Sequence, residues 1–179
     1  LFLYREVLGI DLPWMENVVR AKQSRRLPVV LSKAQTMLLL SKLSGRDWLA
    51  ASLLYGAGLR LMEALRLRVK DLNFERNEIT VRDGKGGKDR KPVLPFSLKP
   101  HLQRQVEQAR ALHAKDLGEG YGAVSLPFAL ARKYPRAETD FGWQYVFPAS
   151  RRGIDPFDGR EKRHHIDEKV LQRAVRAAA

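Results

Sequence analysis

The sequence predicts a mainly α-helical domain carrying a small antiparallel β-sheet, an α+β fold. Apolar residues recur at helical spacing up to about residue 70 and again from about residue 100. Between about 78 and 95 the period shortens to that of strands, and glycine or proline stands at the changes.

The elements follow in order. Residues 1 to about 23 read as the end of a helical element and a linker, with Pro13 and Trp14 marking a break and Leu27–Leu31 extended around Pro28. Ser32 with Gln35 forms an S-x-x-Q capping box, which predicts a helix from Lys33 to about Leu43 that stops at Gly45. A second helix is expected after Asp47, through Trp48, Leu49, Leu53 and Leu54 to the break at Gly56 and Gly58. A third starts near Leu59 and turns Met62, Leu65 and Val69 inward. Glu78–Arg82 and Lys91–Pro95 are short β-rich runs flanking a glycine-rich loop, Asp83–Asp89, which predicts a hairpin. A long amphipathic helix from about Pro100 to Leu117 presents Leu102, Val106, Ala109 and Leu112 on one face. A mixed loop region follows to about Gly159, then a last helix from Ile166 to Ala179.

Composition narrows the function. Hydrophobic residues are 44% and charged residues 30% of the chain, a globular rather than disordered balance. No run approaches the ~20 apolar residues of a membrane-spanning helix. The absence of cysteine excludes disulfides and thiolate metal sites in this sequence and suits a cytosolic protein. The start, Leu1–Arg5, is charged too soon for a secretory signal and lacks an initiator Met, so a cut rather than a natural beginning is expected. Lys and Arg number 33 against 20 Asp and Glu, a net charge of +13. A fold needs no such excess. A polyanionic partner explains it, because each cation placed at a phosphate releases condensed counterions. From Asn17 to Arg46 seven basic residues occur without an acid. Arg20, Lys22, Arg25 and Arg26 are therefore expected to lie along a nucleic-acid backbone.

Two segments carry chemistry. Tyr55-Gly56-Ala57-Gly58-Leu59-Arg60 places an arginine after two glycines in the first turn of a helix, where backbone amides and the helix dipole favour an anion. A guanidinium there can meet a phosphate with two parallel hydrogen bonds, and Glu63, one turn on, can hold it in place. Arg60 and Glu63 read equally as an ordinary surface ion pair. In the hairpin loop, Lys85 sits between Gly84 and Gly86 with Lys88, Arg90 and Lys91 nearby, and Lys88 and Arg90 are expected to bind DNA. A lysine on such a tip can enter a DNA groove and protonate a leaving oxygen, or be a plain solvated turn residue.

Together the two strings, G-x-G-L-R-x-x-E-x-L and V-R-D-G-K-G-G-K-D-R-K-P-V-L-P, resemble the first half of the tyrosine recombinase catalytic domain. That resemblance implies that Arg60 activates the scissile phosphate and that Lys85 protonates the departing 5′ oxygen. It also implies that no metal or other cofactor takes part, because cationic side chains stabilise the transition state. The segments Ala114–Gly122, Phe141–Ser150 and Arg163–Glu168 resemble integron integrases in particular. Those enzymes carry an added helical segment and recombine folded single-stranded cassette sites, and duplex integron sites, through extrahelical bases. The resemblance therefore places Trp143, Pro156 and His164, with His165 beside it, close to DNA bases. An aromatic or imidazole face can stack on any base. A core tryptophan, a turn proline and a solvent histidine are the alternatives.

The family's second box, H-x-x-R followed by the nucleophilic Tyr, is expected after the final helix, beyond Ala179. The string His101-Leu102-Gln103-Arg104 fits H-x-x-R but follows the hairpin too closely and lies in an amphipathic helix. The adjacent His164 and His165 fit no helical metal-site spacing, so no metal site is expected. The resulting expectation is residues 1–26 as the end of an N-terminal DNA-binding domain with its linker, and 27–179 as the N-terminal part of a catalytic domain including the integron-type insertion. The fold is then an incomplete recombinase catalytic domain that binds DNA without cleaving it. The parent would be a bacterial cytoplasmic enzyme of cassette integration and excision, assembling as a tetramer on DNA. The rival from another class is a non-enzymatic, architectural DNA-binding protein with a recombinase-like fold.

Overall fold

The structure is a computed structural model, and it describes residues 2–10, 30–82, 88–126, 128–134 and 136–179. The chain divides into two units, Leu1–Leu31 and Ser32–Ala179. In the first, Leu3–Val7 forms one π-helical turn with no buried residue. The basic run Arg20, Lys22, Arg25 and Arg26, the break at Pro13 and Trp14, and Lys85 lie outside the described residues.

The second unit is mostly helical with two small antiparallel sheets. Helix α1 (Lys33–Ser41) starts at the foreseen capping box: the Gln35 amide donates to Ser32 Oγ at 3.2 Å, and the Ser32 amide to Gln35 Oε1 at 2.8 Å. Each bond satisfies a donor that a helix start leaves open. Helix α2 (Gly45–Gly56) begins three residues earlier than the sequence suggests and is the hub of the core, packing against α1 and against the helices at Leu61–Leu65, Lys99–Gly118 and Glu168–Ala178. Its end approaches another segment closely. A Cβ on Gly56 would stand 3.1 Å from Pro95 Cγ, which leaves little room for a side chain.

Helix α3 (Leu61–Leu65) is shorter than its apolar spacing implies. Leu65 is buried as expected, but past it the chain leaves the helix to pair with 144–146. The Val146 amide donates to Leu67 O at 2.9 Å and the Val69 amide to Gln144 O at 3.0 Å. Those long-range bonds replace the next helical turn. Val69–Asp71 then makes a separate 3-10 turn.

Strand β1 (Leu72–Asn73), absent from the sequence reading, pairs with β2 (Glu78–Ile79). On its other side β2 leads into the expected hairpin, bridged at Glu78–Val93 and Val81–Arg90. Helix α4 (Lys99–Gly118) buries Leu102, Val106 and Ala109 as foreseen, and in addition Gln105, His113 and Asp116. The region read as loop contains the short helix α5 (Phe128–Lys133) and a hairpin of β3 (Gly153–Ile154) with β4 (Glu161–Lys162). Helix α6 (Glu168–Ala178) is capped by Asp167 and turns Leu171 and Ala178 inward. The core joins Leu49, Leu53, Leu65, Ile79, Leu94, Leu102, Phe147 and Leu171. Among the described residues no helix is long and apolar enough to cross a membrane.

Candidate active site and nucleic-acid interface

Gly58 adopts φ +62°, a left-handed turn that suits glycine, and it sets the chain up to enter α3 with Arg60 as the N-cap. Glu63 closes the first turn. It accepts the Arg60 amide at 2.8 Å and Arg60 Nη1 at 2.7 Å. The same carboxylate accepts Arg90 Nη2 at 2.5 Å, and that nitrogen also lies 3.1 Å from Gly58 O. Arg90 stands on the return strand of the hairpin, paired with Val81. One carboxylate thus binds the start of α3 to the base of the glycine-rich loop.

The electrostatics match this role. Glu63 has 11% of its side chain exposed, against 56% for Arg60. Burial works to raise its pKa, but the hydrogen bonds from Arg60 and Arg90 outweigh it and hold the carboxyl below its usual range. The acid stays charged and internal while the Arg60 guanidinium stays open. Lys88 is exposed beside the loop. Arg90, expected at DNA, directs one guanidinium nitrogen to Glu63 and Gly58.

A second cluster surrounds Trp143. Arg68 donates from Nη1 to Trp143 O at 2.6 Å and from Nη2 to Ser125 O at 2.9 Å, with its guanidinium 4.6 Å from the Tyr145 ring centroid. Lys70 Nζ stands 2.7 Å from the Trp143 ring centroid, so the half-buried indole has one face covered by a cation. The Lys70 pKa is lowered to about 8, chiefly by burial; Asp71 and Asp140 work to raise it, and Arg82 and Arg68 work with burial to lower it. The indole also walls an open cleft of about 700 Å³ lined by Lys133, Tyr134, Arg136, Ala137 and Asp140.

Pro156 is exposed on the turn between β3 and β4. His164 and His165 are half-buried and leave β4 toward α6. The His165 ring meets Tyr145 edge-on at 5.3 Å, and its Nδ1 lies 2.7 Å from Ile166 O. Burial pushes its pKa down. His101 and Arg104 lie on α4, where Arg104 Nη2 approaches His101 Nδ1 at 2.8 Å and the imidazole packs 4.7 Å from Trp48. Leu102 between them is fully buried.

Ion pairs hold the segment between α4 and α6 in place. Asp116, 2% exposed, accepts Arg163 Nε at 2.5 Å, Arg163 Nη2 at 2.7 Å and Arg152 Nη1 at 2.9 Å. Burial tends to raise its pKa, and the two arginines outweigh burial and hold it low. Arg152 also reaches Glu119 and Glu161, and lies 3.9 Å over the Tyr121 ring. A few residues away, buried Asp155 accepts Ser125 Oγ and the buried Lys162 Nζ, the latter at 3.1 Å. Arg160 grips Glu138 with both terminal nitrogens. These side chains position His164 and the β3–β4 turn. The sequence offered one signal for them: Asp116 falls on the apolar stripe of α4, where an acid requires a partner.

Comparisons agree with this geometry. Residues 18–179 match the profile of the Phage integrase family. Proteins named integrase/recombinase from Escherichia coli and Pseudomonas aeruginosa are each 48% identical over 178 residues, covering 99% of this chain and 53% of theirs. Tyrosine recombinase XerA from Pyrococcus furiosus is 37% identical over 101 residues, 52% of this chain and 35% of that protein. The crystal structure of XerA recombinase aligns with TM-score 0.53 at 21% identity, over 98% of this chain and 49% of that one, a likeness of fold. The chain spans about half the length of the curated relatives it matches. With the Arg60 and hairpin motifs joined through Glu63 and the profile matched over most of its length, the chain belongs to the phage integrase family of tyrosine recombinases.

Proposed function

We propose that these residues are the first part of the catalytic domain of an integron-type integrase, a site-specific DNA recombinase. Arg60 neutralises the scissile phosphate, and Lys85 delivers a proton to the 5′ oxygen as it leaves. The nucleophile, a tyrosine supplied from outside these residues, forms a 3′-phosphotyrosyl bond. A 5′ hydroxyl of another strand then breaks that bond, which rejoins the DNA. Arg20, Lys22, Arg25, Arg26 and Lys88 follow the backbone, and Trp143, Pro156, His164 and His165 face bases displaced from a folded cassette site. A tetramer of the whole enzyme on DNA, in a bacterial cytoplasm, completes the proposal.

The observation that carries it is the Glu63 bridge. It fastens together the two motif segments that the reaction must bring to one phosphate, although they stand 27 residues apart. By themselves the 179 residues bind DNA and form no covalent adduct, since their tyrosines all precede the position expected for the nucleophile. Fluorescence anisotropy with a cassette-like hairpin tests the binding. With about four phosphate contacts, affinity falls roughly a hundredfold between about 50 and about 200 mM salt. A nearly flat salt dependence refutes the phosphate-binding surface, and a covalent adduct refutes the assignment of the nucleophile.

A further inference from the structure

The Lys70 ammonium is in an unusual setting. Among the described residues no carboxylate makes an ion pair with it. Asp71 is engaged by Arg82 Nε at 3.3 Å and by the Arg68 amide at 3.2 Å. Asp140 Oδ1 accepts the Gly142 amide at 2.7 Å. Burial disfavours the charge on the ammonium, and Arg82 and Arg68 act on it as like charges, while Asp71 and Asp140 favour it from a distance without pairing with it. The charge is therefore left over an indole, a weak partner for an exposed cation.

The indole does not need Lys70 to hold it. Arg68 bonds its backbone carbonyl, and the guanidinium lies 5.6 Å from the ring centroid. The lysine stem also lies beside the chain next to the ring, since a Cβ on Gly142 would stand at ordinary van der Waals distance, 3.6 Å, from Lys70 Cβ. A flat aromatic face, an ammonium resting on it with no ion-paired carboxylate among the described residues, and two arginines nearby together match one ligand: a nucleotide, with a π-face for the ring and a phosphate for the cation.

We propose that Lys70 is a DNA-binding residue that acts with Trp143. The base of an unpaired nucleotide takes the indole face that Lys70 covers, and the ammonium moves from the ring to that nucleotide's phosphate. This rests on the reading of Trp143 as a base-contacting residue. The exchange replaces a weak cation–ring contact by a stack and an ion pair, and it relieves the repulsion from Arg68 and Arg82. It also makes Lys70 a discriminator: on fully paired DNA no base arrives to displace the ammonium, so the residue contributes little.

The test measures binding of the 179-residue chain to two probes, a DNA stem with one unpaired base and the same stem fully paired. The wild-type chain should prefer the first by roughly tenfold, within the range of one base–aromatic stack. Lys70→Gln should weaken binding to the unpaired-base probe by about three- to tenfold, with little change on the paired stem. It should also lower the salt slope on that probe by about 0.7 to 0.9, the share of one phosphate. Lys70→Arg should restore both. The proposal is overturned if Lys70→Gln binds the unpaired-base probe as well as or better than wild type, because the ammonium then only blocks the ring. Equal loss on both probes overturns it too, by making Lys70 a general backbone contact. Trp143→Ala separates this inference from the reading beneath it. If that variant keeps the preference, Trp143 is not a base contact and both fail. If it loses the preference while Lys70→Gln does not, only the Lys70 inference fails.

Discussion

Replacing Glu63 by Ala tests the joint on which the site depends. The substitution removes the acceptor of the Arg60 amide and the partner of two guanidiniums at once. Loss of a helix N-terminal acceptor costs about 1 kcal/mol. The Arg90 bond, made to a carboxylate only 11% exposed, is a charge-assisted contact whose loss adds about 1 kcal/mol after allowance for the partly open arginine. The Arg60 guanidinium, 56% exposed, adds little. The expected loss is therefore about 2 kcal/mol, a fall of about 6 °C in Tm for a unit of about 150 residues. Glu63→Gln keeps one oxygen for the Arg60 amide and should lose about half as much. Circular dichroism melts at neutral pH measure both. Glu63 is more acidic folded than unfolded, so its stabilisation is complete above the ordinary value of 4.5 and disappears as pH falls through the lower folded value. The gap between wild type and Glu63→Gln should therefore close in acid. An alanine variant melting within about 1 °C of wild type refutes the joint; a gap that persists unchanged in acid refutes its ionic character.

Two further outcomes follow from other groups. Asp116→Asn leaves Arg163 and Arg152 facing an uncharged amide, and since both guanidiniums are only partly buried the expected loss is about 3 kcal/mol, read from urea unfolding. Combining it with Arg163→Met should cost clearly less than the two single losses together, and simple additivity would exclude the pair. His165 takes up a proton less readily folded than unfolded, so its contribution is complete above the unfolded value of 6.5 and is lost as pH falls through the lower folded value. Stability should decline as pH falls below 6.5, and His165→Gln should flatten that decline; an unchanged slope refutes the assignment.

What could be read from the sequence was whatever depends on neighbours along the chain. The Ser32 and Gln35 capping box, the apolar face of α4 and the strands flanking Gly84 to Gly87 each follow from a rule spanning a few residues. Arg60 and Glu63 were legible for the same reason, one helical turn apart. Arg90 was expected at DNA, because only the folded hairpin shows that its guanidinium turns to Glu63. Strand β1 is two residues long, too short for alternation to register. Helix α3 loses its last turn to backbone bonds with residues 144–146, a competitor more than seventy positions away. The segment between α4 and α6 carries no period because side chains rather than an apolar stripe hold it: Arg163 finds Asp116 across 47 positions and Ser125 finds Asp155 across 30.

The placing of the acids explains how a chain of net charge +13 folds while keeping cations at its surface for the DNA binding proposed above. Glu63, Asp71, Asp116 and Asp155 each have 11% or less of the side chain exposed, and each accepts from an arginine or lysine. Their partners at the candidate site are more open, with Arg60 at 56% and Arg82 at 58%. The pairs Arg60–Glu63 and Arg82–Asp71 are therefore asymmetric: the carboxylate is inside, and the cation projects outward. An approaching phosphate meets the outer cation first, while the acid behind it keeps the guanidinium aligned and offsets part of the self-repulsion of the basic surface. A carboxylate moved from such an interior position to an exposed one would leave the net charge unchanged and yet weaken the fold and DNA binding together. On the proposed function, then, net charge alone does not set affinity for DNA; the depth at which each sign is held does.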